Sequence, residues 1–592
     1  MKSGTTPTLL TLIFLTAASA VLAEEKNLPR NQAAKDDYKD ASVHLGEHGK
    51  LVYTPDERGN LIPDFSRCGY MGGGVKLPDV PVKITLEPRE GMPKELETYD
   101  PENPVLLDAA DDAPRIQKAI DEVSAMPLDK NGFRGAVLLK RGVYRTTTTL
   151  WIKASGVVLR GEGQAKDGSV ILCAVSRPSA VIELYGKRIL TEIPNSRREI
   201  ADKYVPWGAK SFNLKSTEGL AVGDTVVVFR PNTYEWLDVM GMRKKGWGKD
   251  KPVNEWGMCF DFMHMRFERN ITAIEGNRIT LDAPTVQAMD DKFGGGFVYK
   301  FTEEGAISQS GVEHLRTIGA VPSPASAPVK YTTLKSGVRF TGCVNCWARN
   351  LSLLRVDGCP FEVGSKYHMY ADVGRMGTCK FITIQDCAAL RGHSVFIIRR
   401  AQFCLIQRCM SYRGHHCNSS GARVQGPNVY LDMVNVQGFD AGPHHNYAMG
   451  LLYDNVLAKK MIAYHGRPHG WRGAQTVFWN AMPLIGTVIT QLPKVDGLPV
   501  GRNYFFSTAQ HKGREQLRGS AYEPRSLYLK QLEERLGKEA VENVTTEAQR
   551  KASIDRKSEF HRYTFLWEPI MYGIGEQIEK AKAPSGKQGQ RK

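Results

Sequence analysis

The amino-acid sequence predicts an all-β protein, a right-handed parallel β-helix in which short strands wind into stacked coils. Glycine is frequent, with 57 residues against 31 prolines, and this composition favours many short strands and turns. A repeat is also visible, because FITIQDC at 381–387 is matched 22 residues later by FCLIQRC at 403–409. A period of this length is typical of one coil of a solenoid, in which each coil buries its apolar side chains against its neighbours.

Residues 1–23 predict a signal peptide for export. Lys2 supplies the positive start, Leu9 to Leu15 form a short apolar run, and small residues suited to cleavage follow, ending at Ala20 or Ala23. The apolar run is too short for a membrane span. We therefore expect a secreted or periplasmic protein without a membrane span, and a loose polar arm over residues 24–60.

The segment after residue 110 predicts an N-terminal cap helix followed by the first coils. Ile116, Ile120 and Val123 recur at helical spacing, Asp112 stands at the capping position, and Pro114 fits the first turn. Short strands then follow between glycines: GAVLL at 135–139, GVYR at 142–145, GVVLRGEG at 156–163 and VIL at 170–172. One helix ahead of such strands is the arrangement expected at the start of a β-solenoid.

The same segment resembles the opening of the pectate-lyase superfamily. The resemblance is carried by DDA at 111–113, IQKAI at 116–120, GVY at 142–144 and LRGEG at 159–163. A lead-in with DFS at 64–66 and GY at 69–70 is similar to that of some secreted bacterial members. The resemblance implies the right-handed parallel β-helix fold. It leaves the activity open, because the superfamily includes polysaccharide lyases, polygalacturonase-like hydrolases, sugar epimerases and tailspike-like binding proteins.

We predict that the β-helix domain extends over residues 61–515, with a β-rich insertion at about 195–310. The insertion is richer in tryptophan, methionine and charge, and it holds strand-like segments at 223–228 and 276–281. A short helical segment is predicted within 516–579, because residues 524–537 have helical spacing and Gly537 fits a helix stop. The tail 580–592, rich in lysine, glycine and glutamine, is predicted to be disordered.

The cysteines indicate interior packing rather than a metal site. The chain has 11 cysteines, and Cys387 and Cys409 occupy equal positions of the repeat, where they are expected to stack inside adjacent coils. Cys343 and Cys346 form a lone C-x-x-C pair without the two further ligands that a zinc ion needs. Calcium prefers clustered carboxylates, so Ca²⁺ stays open but is not favoured, and no other cofactor or metal is expected.

Histidine and arginine are concentrated where the repeat is clearest. Seven of the 14 histidines lie between His393 and His469. From residue 387 to residue 480 the chain has eight arginines, no glutamate and three aspartates, Asp432, Asp440 and Asp454. The net charge of +16 and the pI near 9.2 also fit a polyanionic ligand. We therefore expect an acidic polysaccharide as partner, and no nucleic acid, since no nucleic-acid-binding module is recognisable.

The spacing of these residues places them on one face of the coils. The motif Arg-Gly-His occurs at 391–393 and again at 413–415, 22 residues apart and in phase with the repeat. His444 and His469 continue the series at intervals of 29 and 25 residues. We therefore predict a column of histidines on one face, with Arg391 and Arg413 paired beside it.

This pattern suits β-elimination from a uronic-acid polymer. The reaction needs a cation at the uronate carboxylate and a base that removes the C5 proton, and it often needs an acid for the leaving oxygen. Arginine binds carboxylates bidentately, and histidine exchanges protons near neutral pH. The predicted catalytic residues are His393, His415, His444, Tyr447 and His469, and the predicted substrate-binding residues are Arg391, Arg413, His445, Trp471 and Arg472.

Two other functions stay open from the sequence. A polygalacturonase-like hydrolase needs two placed carboxylates, and Asp432, Asp440 and Asp454 are the candidates in the histidine-rich coils. A non-catalytic glycan-binding protein would have a groove with aromatic platforms and no acid–base groups with shifted pKa values. The scarcity of carboxylates favours elimination over hydrolysis.

Overall fold

The computed structural model describes residues 42–96, 106, 109–174, 180–243, 264–319, 334–356, 358–364, 379–445, 447–464, 473–489, 491–507 and 522–551. The predicted signal peptide, the predicted tail and the candidate residues His469, Trp471 and Arg472 lie outside the described residues. Within the described ranges, no helix is long and apolar enough to cross a membrane.

The elements before and within the insertion follow one another in this order. An antiparallel hairpin comes first, with β1 (Val43–Leu45) and β2 (Leu51–Tyr53). The first coils contain β3 (Val82–Leu86), α1 (Ala113–Ser124), β4 (Gly135–Leu139), β5 (Gly142–Thr146), β6 (Leu150–Ile152), β7 (Val157–Arg160), β8 (Ser169–Cys173) and β9 (Ile182–Tyr185). The insertion contains β10 (Ile189–Glu192), β11 (Arg198–Glu199), β12 (Tyr204–Val205), β13 (Ser211–Asn213), β14 (Thr225–Arg230), α2 (Tyr234–Val239), β15 (Met265–Glu275), β16 (Arg278–Leu281), β17 (Met289–Asp290) and β18 (Phe297–Glu304).

The later coils and the C-terminal helices complete the described chain. The coils resume with β19 (Ile307–Ser308), β20 (Gly311–Gly319), β21 (Ser336–Thr341), β22 (Cys343–Val344), β23 (Trp347–Leu354), β24 (Cys359–Val363), β25 (Cys379–Lys380), β26 (Thr383–Gln385) and β27 (Ala388–Ile398). They continue with β28 (Ala401–Gln402), β29 (Leu405–Gln407), β30 (Met410–Ser420), β31 (Gln425–Leu431), β32 (Val434–Val436), β33 (Asp440–Gly442), β34 (Met449–Asp454), β35 (Leu457–Ala463) and β36 (Val477–Ile489). The last elements are β37 (Lys494–Val495), β38 (Leu498–Pro499), β39 (Tyr504–Ser507), α3 (Leu527–Leu536), α4 (Lys538–Val544) and α5 (Glu547–Lys551).

Neighbouring coils pair in parallel, and the predicted all-β parallel β-helix is confirmed. Strand β27 pairs with β30 from Ala388 opposite Met410 onwards, so equal positions lie one sequence repeat apart. Inside the coils, equal positions form columns, because parallel strands in register bring like side chains together. Cys387 and Cys409 belong to this core as buried free thiols. The fold therefore agrees with the one that the resemblance to the pectate-lyase superfamily implies.

Helix α1 covers the first coils with its apolar face. Ile116 and Ile120 are fully buried in the core of the coils. Asp112 is the N-cap residue, but its side chain makes no capping hydrogen bond. The buried carboxylate of Asp112 instead accepts hydrogen bonds from Nε of Arg89 at 2.8 Å and Nε of Arg115 at 2.6 Å. This aspartate thus ties α1 to the segment before it, which the sequence pattern did not indicate.

The insertion is a mainly antiparallel unit that packs against the side of the coils. Strand β14 lies between β15 and β18, and all three run antiparallel to their neighbours. One apolar cluster contains insertion residues together with Ala422, Tyr447 and Met449 of the coils. The strands from β10 to β18 extend over residues 189–304, close to the predicted 195–310.

Residues 42–60 differ from the loose arm that the sequence predicted. Val43 and Leu51 of the hairpin are buried in a cluster with residues of the late coils and α3. The backbone amide of Leu51 donates to the carboxylate of Glu534 at 2.6 Å, and Asn60 accepts from the Tyr204 hydroxyl at 2.7 Å. The two partners lie 483 and 144 residues away in the sequence, so the polar local composition could not reveal that this segment packs.

The C-terminal helices dock on the coils through two buried aspartates. Asp432 accepts a hydrogen bond from Nη2 of Arg525 at 2.6 Å. Asp454 accepts one from the Ser526 hydroxyl at 2.7 Å and one from the backbone amide of Tyr528 at 2.9 Å. Burial raises the pKa of Asp454 to about 7. Both carboxylates therefore bind the C-terminal segment.

Candidate active site

Two adjacent coils place His393 and His415 face to face. Ahead of each histidine the backbone turns, with φ angles of 70° at Arg391 and 56° at Arg413. Gly392 lies opposite Gly414 in the pairing of β27 with β30, so the turns are in register. The two imidazole rings stack with centroids 5.4 Å apart and planes 10° apart. The Arg-Gly-His repeat of the sequence thus places its equivalent residues side by side in adjacent coils.

The ring stack continues along the coil axis and reaches the surface. His415 stacks on Phe439 with ring centroids 5.2 Å apart and planes 9° apart. Nζ of Lys460 lies 5.3 Å from the centroid of the Phe439 ring, which is cation–π distance. Phe439 is 41% exposed, and His415 is exposed as well. A ligand in solution can therefore reach the edges of these rings.

Beside the stack, His416 and Asp440 form a buried pair. Nδ1 of His416 lies 2.8 Å from Oδ1 of Asp440, and the two residues face each other in the pairing of β30 with β33. Burial raises the pKa of Asp440 to about 7, although the positive charges of His415, Lys460 and His393 act in the opposite direction. The pair can therefore gain or lose a proton near neutral pH, as acid–base catalysis requires.

Five imidazoles are in mutual contact and form what we call the histidine cluster: His393, His415, His416, His444 and His445. The ring of His416 is central, with its centroid 4.3 Å from that of His415, 5.3 Å from that of His393 and 3.8 Å from that of His444. His445 contacts His444 edge-on at 4.7 Å. Four of these five histidines were candidates from the sequence.

Arg391 and Arg413 flank the cluster on the turns that precede its stacked histidines. Arg413 is exposed, its Nε donates to Oε1 of Gln437 at 3.2 Å, and its guanidinium lies 5.5 Å from the ring centroid of Tyr412. Arg391 is partly exposed. Both cations therefore stand at the edge of the cluster, where an anionic ligand has access to them.

Tyr447 does not join the histidine cluster, although it lies three residues after His444 in the sequence. Its hydroxyl is fully buried and is hydrogen-bonded to Arg230, Asn232, Trp236 and Gln287 of the insertion. Burial raises the pKa of this hydroxyl. These contacts fix the insertion to the coils, so the side chain is engaged in packing and is withdrawn from the exposed face.

Sequence reasoning missed His416, Asp440, Phe439 and Lys460 as members of the site. The signal for the pair was present, because His416 and Asp440 are 24 residues apart, which is one coil. Asp440 was weighed as a carboxylate for hydrolysis and not as the partner of a histidine. Within the described ranges, no group of three or more histidine, cysteine, aspartate or glutamate side chains has a geometry that could hold a metal ion.

We expect the substitution Asp440→Asn to stabilise the protein at alkaline pH. An unfolded aspartate titrates near pH 3.9, and the buried one titrates near pH 7. The folded wild type therefore loses stability as the pH rises through this interval, whereas asparagine carries no such penalty. The variant's gain in the free energy of unfolding should be small at pH 4 and on the order of 2–4 kcal/mol at pH 8.

Urea denaturation of both proteins at pH 4, 6 and 8 measures this difference. The amide oxygen of asparagine can still accept a hydrogen bond from His416, which makes the substitution a test of charge alone. A difference in unfolding free energy that is the same at all three pH values would contradict the assignment.

Comparison with known proteins gives no family for the chain. No family model and no curated protein matches it. Solved structures that are similar include the tailspike protein of Pseudomonas phage LKA1, with 14% identity, a TM-score of 0.37, and coverage of 64% of this chain and 54% of the tailspike. The A-module of an Azotobacter vinelandii mannuronan C-5 epimerase has 11% identity, a TM-score of 0.28, and coverage of 65% and 72%. The endo-xylogalacturonan hydrolase of Aspergillus tubingensis has 10% identity, a TM-score of 0.29, and coverage of 71% and 95%. The chain thus spans about half the length of the tailspike.

Proposed function

We propose that the protein acts on an acidic polysaccharide and cleaves it by β-elimination at the histidine cluster. The observation that carries this proposal is a cluster of five imidazoles in contact with one another, one of which pairs with a buried carboxylate, with two arginines on the turns beside it. Such a set can hold and exchange protons near neutral pH while it binds a negatively charged sugar.

The roles in this reaction follow from exposure and contacts. Arg391 and Arg413 bind the uronate carboxylate, and their charge makes the C5 proton more acidic. His415 is exposed, so its imidazole is placed to act as the base that removes that proton. The electron pair forms the C4–C5 double bond as the C4–O bond breaks. His416, which pairs with Asp440 through Nδ1, acts in its protonated form as the acid that delivers a proton to the leaving oxygen.

Hydrolysis is the less favoured reaction because it needs two free carboxylates at a defined separation. Of the three candidates, Asp432 and Asp454 bind Arg525 and the start of α3, and Asp440 alone contacts the histidine cluster. A single carboxylate that pairs with a histidine suits a proton relay better than the two-carboxylate mechanism of glycosidases.

A polysaccharide panel tests the reaction class. The protein is incubated with pectate, alginate, ulvan and glycosaminoglycans, and the ultraviolet absorbance of unsaturated uronates is followed together with the release of reducing ends. We expect both signals to rise in parallel on at least one uronate polymer. Reducing ends without the absorbance would establish hydrolysis instead, and retained binding without either product would establish a binding protein.

A further inference from the structure

A pocket of about 190 Å³ lies on the coils apart from the histidine cluster. Its floor is formed by β23, β26 and β29, and its walls are the segment 69–77 and residues 543–546 at the junction of α4 and α5. The strands β26 and β29 belong to the same two coils as His393 and His415, but no member of the histidine cluster is among the residues that line the pocket. The pocket is therefore a separate site, which elimination at the cluster does not use.

Polar side chains at equal positions of three coils form the floor of this pocket. Arg349 lies opposite Gln385 in the pairing of β23 with β26, and Gln385 lies opposite Gln407 in the pairing of β26 with β29. Nε2 of Gln407 donates to Oε1 of Gln385 at 3.2 Å and to the carbonyl oxygen of Val544 at 2.9 Å. These two acceptors fix the orientation of the Gln407 amide, because a flipped amide would turn its own oxygen towards both of them.

The fixed amide leaves an unused acceptor in the lining of the pocket. Oε1 of Gln407 is buried and has no hydrogen-bond partner among the described residues. A buried acceptor without a donor is costly, so a bound molecule that supplies a donor is stabilised there. Thr383 also lines the pocket, and its hydroxyl oxygen accepts from the backbone amide of Tyr70 at 2.8 Å, which leaves the hydroxyl proton for a further bond. The floor thus suits a ligand with hydroxyl groups.

Lys76 adds a cation that has no counterion in the pocket. It is exposed, and it forms no ion pair with any residue that the structure describes. The two arginines of the lining differ from it, because each has a carboxylate partner. Nε of Arg408 lies 2.6 Å from Oδ1 of Asp386, and Arg349 pairs with Glu313. The pocket therefore favours a ligand that brings one negative charge to Lys76.

The remaining lining is apolar and limits the size of the ligand. Val75 is 42% exposed at the edge of the pocket, and Leu77 and Leu405 lie deeper. A volume of about 190 Å³ is below the roughly 300–1,000 Å³ of sites for drug-sized ligands, so it suits a molecule about as large as one sugar ring. A sugar ring has hydroxyl groups at its edge and C–H groups on its faces, which matches a lining that is polar on one side and apolar on the other.

We propose that this pocket is a second carbohydrate site, which binds a single sugar acid. The carboxylate of the sugar pairs with Lys76, a ring hydroxyl donates to Oε1 of Gln407, and the C–H face of the ring packs on Val75. The residues of the pocket alone carry this assignment, so it does not depend on the reaction proposed for the histidine cluster.

Ligand-detected NMR of the full-length protein with D-galacturonate tests the proposal, and D-galactose is the uncharged comparison. We expect a Kd of about 1 mM for galacturonate, which is the usual scale for a ligand of this size in a small pocket. Galactose lacks the carboxylate that pairs with Lys76, and it should bind at least about fivefold more weakly, as expected for the loss of one exposed ion pair.

Two variants alter the pocket and keep its packing. Lys76→Gln removes the exposed cation, so it should raise the Kd of galacturonate at least about fivefold and leave that of galactose unchanged. Gln385→Glu keeps the size of the side chain and the acceptor for Gln407, but its negative charge should repel galacturonate and hardly affect galactose. Lys118→Gln is the matched control, because Lys118 is exposed on α1, and it should bind both sugars like the wild type. Thermal unfolding midpoints confirm that the variants are folded.

The outcomes separate this inference from the proposed function. Wild-type binding of galacturonate in both Lys76→Gln and Gln385→Glu would overturn the inference, and so would the absence of any binding to the wild type. Weaker binding in Arg413→Gln but not in Lys76→Gln would place the sugar acid at the histidine cluster and also overturn it. The polysaccharide panel decides the reaction independently, since it measures products. Weaker binding in Lys76→Gln without unsaturated product from any polymer would support this pocket and count against elimination.

Discussion

Replacing His415 by alanine is expected to reduce kcat/KM for uronate elimination by about 10²–10⁴-fold, the usual contribution of one positioned proton transfer. The exposed ring of His415 stacks between His393 and Phe439, so its position is fixed by neighbours that the substitution leaves in place. The substitution removes no buried group and should leave the thermal unfolding midpoint almost unchanged. Activity is measured as the initial rate of formation of unsaturated uronates on the best substrate of the panel.

The matched control for this substitution is His314→Ala. His314 is a partly buried histidine on another coil, and its Nδ1 lies 3.3 Å from the side-chain amide of Asn350, but it has no contact with the histidine cluster. Burial lowers the pKa of His314, which favours the neutral form of this imidazole. We expect the control variant to keep its activity. Full activity in His415→Ala would refute the assignment of this histidine as the base.

The fold could be predicted from the sequence because the sequence signals for it are local and repeated. The match of Phe381 with Phe403 sets the coil length, and both residues have the same left-handed backbone in the structure, with φ angles of 59° and 58°. Glycines mark the other turns, and β-branched residues fill the strands between them. Each coil must bury its apolar side chains against its neighbours in the same way, so one clear pair of coils was enough to predict the architecture.

The site could be predicted from the sequence only in part, since its contacts depend on how coils of unequal length come into register. His393 and His415 belong to coils of equal length, and their stacking follows from the repeat. The next coil is longer, with His416 opposite Asp440 at 24 residues, and the bulge between His416 and Asn418 shifts the pairing there. Tyr447 is close to His444 in the sequence, but this closeness gave no information on the direction in which its side chain points.

A set of buried ion pairs, which the sequence pattern did not indicate, has the largest expected effect on stability. Arg339 lies between two buried carboxylates on neighbouring coils, with Nη1 3.2 Å from Glu183 and Nε 2.8 Å from Glu362. Arg399 continues the ladder with Nε 2.9 Å from Glu362. The side chains of Arg339, Glu183 and Glu362 are at most 5% exposed. These charges are 156, 23 and 37 residues apart, so only the coiling of the chain brings them together.

Removing Arg339 should therefore be far more harmful than removing an exposed cation. The substitution Arg339→Met leaves Glu183 and Glu362 buried beside an apolar group, and breaking a buried ion pair in this way typically costs about 3–5 kcal/mol. Lys118→Met is the control, because Lys118 forms an exposed i,i+4 pair with Glu122 and such pairs contribute less than about 1 kcal/mol. Urea denaturation at pH 8 measures both changes in the free energy of unfolding.

The pH dependence of the loss identifies its cause. Burial already raises the pKa of Glu183, whereas Glu362 is also buried but has a lowered pKa because Arg399 and Arg339 outweigh its desolvation. Without Arg339, both carboxylates should take up a proton more easily, so the variant should lose less stability at pH 5 than at pH 8. Adding Glu183→Gln should restore part of the stability for the same reason, since a neutral amide removes one uncompensated charge. A loss that is equal at both pH values and unaffected by Glu183→Gln would mean that Arg339 stabilises the coils by packing its aliphatic stem, not by pairing with the carboxylates.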